Sequence, residues 1–482
     1  MDRKINLTML MDFYEITMAN GYFEHGFENR IACFDMFFRK VPDDGGFAIM
    51  VGVEQMIDYV KNLKFEPEDI AFLRSKGLFC EAFLDYLANF RFSCDIWAME
   101  EGTPIFPNEP IVKVVGPVIE AQFMETMILL TINHQSLIGT KANRIVRAAA
   151  GRPVMEFGSR RAQGTNGAVN GARAAYIAGC AGTACTISDI LYDIPSMGTM
   201  AHSWVQLFPS ELDAFRAYAR TYPKNCVLLV DTYNVLKSGI PNAIRVFNEE
   251  LVPRGFRPAG VRIDSGDITY LTKKVRKMLD DAGFADCGIC ISNSLDEYII
   301  RDILNQGACV DSFGVGERLI TSRSEPVFGG VYKLVSVYDE QGNEQPKIKV
   351  SENIAKITTP CNKRVCRLYS KESGKAIADV LLLADESLPD GSPYEIFDPE
   401  HTWKRKVITD YYAKELLIPI FRKGECVYQS PSVKQMRDFC AAQVETLWDE
   451  VKRFENPHNY YVDLSPRLWE IKHSLLSKHN YS

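Results

Sequence analysis

The rhythm of apolar and polar positions changes twice along the chain. Up to about residue 120, short strand-like runs alternate with turns: IACFDMFFRKVP, GGFAIMVG and EPIVKVVGPV, the last bounded by Pro110 and Gly116. This predicts an N-terminal mixed α/β domain over residues 1–120. A stretch rich in Leu, Ile and Ala follows over about 120–150 and reads as a helix ended by Gly151 and Pro153.

In the middle third, seven strand-sized apolar runs alternate with amphipathic, helix-sized segments: PVMEF, TACTI, IPSMGTM, CVLLV, GVRI, GICI and CVDSFGV. One such helix is predicted between Asp267 and Gly283, with Ile268, Leu271, Val275, Met278 and Leu279 on one stripe and Gly283 placed to cap it. A βα repeat of this kind predicts a parallel sheet. Seven runs fall short of the eight of a full barrel, so the expectation for residues 121–330 is an irregular or incomplete TIM-like (β/α) barrel. Beyond about Val331 the pattern returns to short strands until about Ile418. The last sixty or so residues read as helical, with charged faces at Gln443 to Glu455. Residues 331–482 are therefore expected to form a C-terminal strand-then-helix extension. No repeat of fixed period is evident.

Small, polar and charged residues follow the apolar runs: GSRRAQG after PVMEF, AHSW after GTM, DTYN after CVLLV, DSGD after GVRI, SNSLD after GICI and GERL after DSFGV. In a parallel barrel these exits share one rim, where catalytic residues gather. Composition narrows the chemistry. A 482-residue chain with 46% apolar and 24% charged residues is long enough for two to four domains, and a net charge of -7 offers no basic excess for nucleic acid. The longest apolar run, near Met124 to Ile132, is far short of a membrane span. Thirteen scattered cysteines, and a start without the apolar core of a signal peptide, predict reduced thiols and a cytoplasmic protein.

Three loops carry candidate chemistry. EFGSRRAQGTNG sets two arginines in a glycine-punctuated loop before a helix, an arrangement that cradles phosphate; a solvated turn with a structural arginine is the alternative. GTMAHSWV places His202 just past an apolar run among small residues. A neutral ring nitrogen is nucleophilic and its phosphoramidate stays reactive, which suits phosphoryl relay. VDTYN and VRIDSGD end two runs in Asp231 and Asp264, fit to hold ribose hydroxyls or the Mg²⁺ of a pyrophosphate, whereas Ser265 and Asp267 read as helix caps. FGVGE adds a Gly-x-Gly at the last exit. The Cys287/Cys290 pair lacks a second pair for zinc, and no GxxxxGK[ST] is present, so any ATP binds without a P-loop.

Together LMDFYEITMANGYF, FFRKVPDDGGFAI, EFGSRRAQG, GTMAHSWV, DTYNVLKSGIPNAI, GVRIDSGD and FGVG followed by GGVYKLV resemble, in order and over nearly the whole length, the nicotinate phosphoribosyltransferases of the type II phosphoribosyltransferase fold. The resemblance implies synthesis of nicotinate mononucleotide from nicotinate and phosphoribosyl pyrophosphate. It implies an ATP-dependent ligase of NAD salvage that needs Mg²⁺, with ATP as co-substrate and His202 as the phosphohistidine. It further implies that Asp231 and Arg160 are catalytic, that Tyr14, Arg160, Thr199, Ser203, Arg262 and Asp264 bind substrate, and that Ser292, Asn293, Gly314 and Gly316 bind phosphate. Arg262 is the first choice for the nicotinate carboxylate and Arg160 the second. Tyr14 would enter the site of a neighbouring subunit in a homodimer. Glu317 departs from the family, where threonine commonly follows FGxG, so it is left out of the phosphate contacts. A nicotinamide- or quinolinate-specific transferase and a non-catalytic sensor of NAD precursors remain as alternatives.

Overall fold

A computed structural model describes residues 6–388 and 393–479. The chain forms two compact units that do not follow it in three successive blocks. One is built from segments of Met1–Leu137, Val327–Pro431 and Asp438–Ser482, the other from Ile138–Pro326 and Ser432–Arg437. The reason lies in the strand Ile31–Phe37, of which all but the first residue are buried. A strand buried on both faces needs hydrogen-bonded neighbours at both edges, and it takes Val112–Pro117 on one side and the distant Val331–Tyr338 on the other, both antiparallel.

In the first unit a seven-stranded antiparallel sheet grows around that strand, and a second sheet of four strands is centred on Lys363–Ser370 and Ala376–Leu383. Within the latter, Arg367 and Asp379 form a fully buried pair at 2.7 Å, and the Tyr460 hydroxyl donates to the same carboxylate at 3.0 Å. The GGFAIMVG run supplies only the two-residue strand Ala48–Ile49. The charged run expected to be helical at Gln443 to Glu455 is corrected: the helix Val433–Glu445 stops at its start, and turns follow, with the Trp448 indole donating to the Ala376 carbonyl at 2.9 Å. Capping and tertiary hydrogen bonds outweigh charge periodicity there.

The helix Phe13–Glu24 opens with a capping box in which Glu15, fully buried, accepts from the Asp12 N–H at 3.3 Å and from the Thr126 hydroxyl. Burial pushes the Glu15 carboxyl up to about 7. In the unfolded chain it ionises near ~4.3. Between these values the folded protein binds more protons than the unfolded chain, so this group's contribution to stability is greatest in acid and declines as pH rises toward 7. Glu15→Gln should flatten that decline. Thermal unfolding at pH 5 and pH 8 checks it: a mutant-minus-parent difference that does not change with pH would refute the assignment.

The second unit carries the βα repeat. Its sheet has six strands, here β1 (Val154–Glu156), β2 (Gly182–Thr183), β3 (Val227–Leu229), β4 (Gly260–Ile263), β5 (Gly288–Ile291) and β6 (Ser312–Val315). They are ordered β2-β1-β6-β5-β4-β3 and all pair in parallel. Five of the seven apolar runs supply strands as expected. TACTI supplies only Thr183, because Ile187, Ile190 and Leu191 fall at helical spacing and belong to the helix Thr186–Tyr192. IPSMGTM makes one isolated bridge, Ser196 with Thr183, beside Pro195, which has no N–H to continue a ladder. Among the described residues β2 and β3 are edges and no hydrogen-bonded ring closes.

Val261, Ile263, Ile289, Ile291, Phe313 and Val315 are fully buried, and helices flank the sheet. The helix Ile268–Asp281 buries Ile268, Thr272, Val275 and Leu279, with Leu271 and Met278 half-buried. Asp267 is its N-cap, accepting from the Tyr270 N–H at 2.8 Å, as read from the sequence. Gly239 permits the closest approach of helix to strand: a Cβ there would lie 1.9 Å from the Val230 carbonyl oxygen.

Candidate active site

Parallel register assembles the site. Leu229 of β3 pairs with Arg262 of β4, Arg262 with Cys290 of β5, and Cys290 with Ser312 of β6. Two residues further along each strand, Asp231, Asp264, Ser292 and Gly314 therefore stand in one row at the carboxyl rim. Hydrogen bonds run along this row. Asp231 Oδ2 accepts from the Asp264 N–H at 2.9 Å and from the Ser265 hydroxyl at 2.7 Å. Asp264 Oδ1 accepts from the Ser292 hydroxyl at 2.6 Å. Ser265 is thus a carboxylate donor and not the helix cap that the sequence suggested.

His202 begins the helix His202–Leu207, and its Nδ1 shares a 3.0 Å hydrogen bond with the Thr232 hydroxyl. Its Nε2 lies 3.9 Å from Asp231 Oδ1 and 3.9 Å from Asp264 Oδ2. The imidazole is 40% exposed while the Asp231 carboxylate is only 2% exposed. Asp231 Oδ1 is buried without a hydrogen-bond donor among the described residues. The ring is thus oriented through Nδ1 by Thr232 while its Nε2 edge stays accessible, the arrangement a nucleophilic histidine needs.

Arg262 points to the same region from β4. It donates to the Thr199 hydroxyl at 2.6 Å and to the Met200 carbonyl at 2.9 Å, while its Nε is buried without an acceptor. Its guanidinium therefore pins residues 199 and 200 just ahead of His202. Ser203 is exposed on the next helical position. Arg160 sits on the turn Ser159–Arg161 after β1, exposed, with no hydrogen bond or ion pair among the described residues. Asn293 spends its side-chain oxygen on the Ser294 N–H at 2.6 Å.

Gly314 and Gly316 are shaped by packing. A Cβ at Gly314 would come within 2.5 Å of the Phe157 ring, and one at Gly316 within 3.0 Å of the Phe157 carbonyl oxygen. Glu317 is 44% exposed and pairs with Arg323 at 3.5 Å, so its charge has a cation of its own. Tyr14 belongs to the other compact unit, in the first turn of the helix Phe13–Glu24, and is 44% exposed. Burial first, then Glu125, Glu15 and Asp12, push its phenol well up, so it stays a neutral donor.

The sequence reading missed Thr232, Phe157, Glu156 and Thr183. Thr232 and Phe157 stand at strand exits but carry no signal of their own, and Thr183 meets Glu156 across 27 positions. The Cys287 and Cys290 thiols are raised by burial, and none of the thirteen cysteines is in a disulfide. No group of three or more His, Cys, Asp or Glu is placed to hold a metal among the described residues.

A parallel α/β sheet with histidine, neighbouring carboxylates and an exposed arginine at its carboxyl rim has the layout of an enzyme that handles anionic substrates. Residues 9–133 match the nicotinate phosphoribosyltransferase (NAPRTase) N-terminal domain and residues 362–472 the nicotinate phosphoribosyltransferase C-terminal domain. The nicotinate phosphoribosyltransferase of Bacillus subtilis is 41% identical over 467 residues, covering 97% of this chain and 94% of the relative. That of Homo sapiens is 29% identical, covering 97% and 96%. The crystal structure of human nicotinic acid phosphoribosyltransferase superposes with a TM-score of 0.84 at 28% identity, over 97% of this chain and 100% of that one. The chain belongs to the nicotinate phosphoribosyltransferase family.

Proposed function

We propose that the protein synthesises nicotinate mononucleotide from nicotinate and phosphoribosyl pyrophosphate, and that it couples this step to ATP through His202 as an ATP-dependent ligase. The carrying observation is the imidazole held 3.9 Å from both Asp231 and Asp264 at the sheet rim, in a chain 41% identical to a nicotinate phosphoribosyltransferase. A ring nitrogen of His202 attacks the γ-phosphorus of ATP, the bond to the bridging oxygen breaks, and ADP leaves. The nicotinate nitrogen then attacks C1 of the ribose as pyrophosphate departs, and water later removes the phosphoryl group from His202.

Arg160, exposed and without a hydrogen bond or ion pair among the described residues, supplies a guanidinium for the phosphates. Arg262 fixes the segment 199–200 and stands ready for the nicotinate carboxylate through its unsatisfied Nε. Asp231 Oδ1, buried without a donor, and Asp264 offer hard oxygens that would hold Mg²⁺ together with substrate phosphate. The ion would neutralise charge on the leaving pyrophosphate. Two protein carboxylates suit an ion that arrives with its substrate and keeps several waters.

The six strands are read as part of an incomplete barrel wall, open between β2 and β3. Exposed Leu7, Leu10, Phe13 and Tyr14 on the first unit, and Ile190, Leu191 and Leu207 on the second, support a homodimer in which Tyr14 completes the partner's site. Thirteen cysteines without a disulfide support a cytoplasmic setting. The test is formation of nicotinate mononucleotide from nicotinate and phosphoribosyl pyrophosphate, with and without ATP, and with nicotinamide or quinolinate as the alternative base. Product from nicotinate, increased by ATP and favoured over the other two, is expected. Binding without turnover would reject the reading in favour of a sensor.

A further inference from the structure

We infer that Glu156 is a positioning residue for this reaction, fixing the loop that carries Arg160; the inference rests on the proposed phosphoribosyl transfer. Glu156 ends β1 with none of its surface exposed, and no lysine or arginine pairs with it among the described residues. Burial pushes its carboxyl above the usual range. Placing an acid there without a cation is unfavourable unless its oxygens are satisfied, and an apolar residue would fill the space at less cost. Both oxygens are satisfied by rim groups. Oε1 accepts from the Gly158 N–H, and Oε2 accepts from the Thr183 hydroxyl at 2.6 Å. Thr183 in turn accepts from the Cys185 N–H at 3.0 Å, and the Ala184 N–H donates to the Glu156 carbonyl at 2.8 Å. One side chain thereby joins the exits of β1 and β2.

The loop leaves this knot with little freedom. The Phe157 N–H donates to the Val315 carbonyl at 2.8 Å, on the opposite neighbour of β1. A Cβ at Gly158 would lie 2.5 Å from Ile320 and 2.7 Å from the Glu156 carboxylate, so the backbone is pressed against both. The turn Ser159–Arg161 follows at once, closed by the Arg161 N–H on the Gly158 carbonyl at 2.7 Å. Arg160 thus projects into solvent from a base fixed on three strands. Such pre-organisation matters because a cation that must be ordered on binding gives up part of its interaction with a phosphate.

The test measures steady-state kinetics on the full-length protein for Glu156→Ala, Glu156→Gln, Thr183→Val and Arg160→Ala, and for Glu156→Ala combined with Arg160→Ala. Glu156→Ala and Thr183→Val should raise the KM for phosphoribosyl pyrophosphate about tenfold with a smaller change in kcat. Glu156→Gln should recover most of it, because the amide can accept from Gly158 and donate to Thr183. In the Arg160→Ala background, Glu156→Ala should add less than twofold, the signature of residues acting as one unit. An equal fold-change with and without Arg160, or an unchanged KM in Thr183→Val, overturns the inference while leaving the reaction intact. Absence of nicotinate mononucleotide from the parent protein would instead overturn the reaction itself. Should Glu156→Ala fail to fold, Thr183→Val carries the same comparison.

Discussion

Replacing His202 with alanine should abolish all stimulation by ATP and leave only the ATP-independent rate. The imidazole is the accessible nucleophile at the rim, 40% exposed, with its Nδ1 held by the Thr232 hydroxyl and its Nε2 turned toward Asp231 and Asp264. Incubation with ATP labelled at the γ-phosphate should give an acid-labile, base-stable phosphoprotein in the parent and none in His202→Ala. Residual nicotinate mononucleotide synthesis should persist, because the substitution leaves Arg160 and the hydrogen bonds among Asp231, Asp264 and Ser292 in place. Equal ATP stimulation in the two proteins would remove His202 from the mechanism.

Asp231 should be the next most sensitive position. Its Oδ2 satisfies the Asp264 N–H and the Ser265 hydroxyl, and its Oδ1 faces His202 from a buried position. Alanine there strands two donors and removes the charge opposite the imidazole. Removing a preorganised charge and hydrogen-bond acceptor at a catalytic centre typically costs on the order of a hundredfold or more, so kcat/KM should fall by about that much. Asp231→Asn retains an acceptor for the Asp264 N–H but carries no charge. It should therefore unfold close to the parent temperature yet lose activity nearly as far as alanine. An asparagine variant with parental kcat/KM would show that the charge is not used.

The parallel βα repeat was legible because burial dictates it. Val261–Ile263 and GICI alternate buried and half-buried positions, and each is followed by a polar exit, so a strand and the residue at its carboxyl end could be read together. TACTI and IPSMGTM were not legible in this way, because their short apolar runs fit either a strand or a helix. Only helical spacing at Ile187, Ile190 and Leu191 and the missing N–H of Pro195 separate the two. At the candidate site, His202, Asp231, Asp264 and Arg160 were picked out by their place at strand exits and their residue chemistry. Thr232 escaped because a threonine beside an aspartate carries no signal of its own until a histidine 30 residues earlier is brought to its hydroxyl.

By itself the sequence determined the alternation of strands and helices in the second unit, the identity of the polar groups at the strand exits, and the family through motifs in a fixed order. Those are local or pattern-borne properties, set by side-chain periodicity and by residue type. Tertiary structure alone decided that Val331–Tyr338 pairs with Ile31–Phe37 and draws the end of the chain to its beginning. It also decided that Asp231, Asp264 and Ser292 share hydrogen bonds and that Glu156 reaches Thr183. Register between strands distant in the chain is chosen by joint burial of their apolar faces, and hydrogen bonds between their exits exist only after that choice is made.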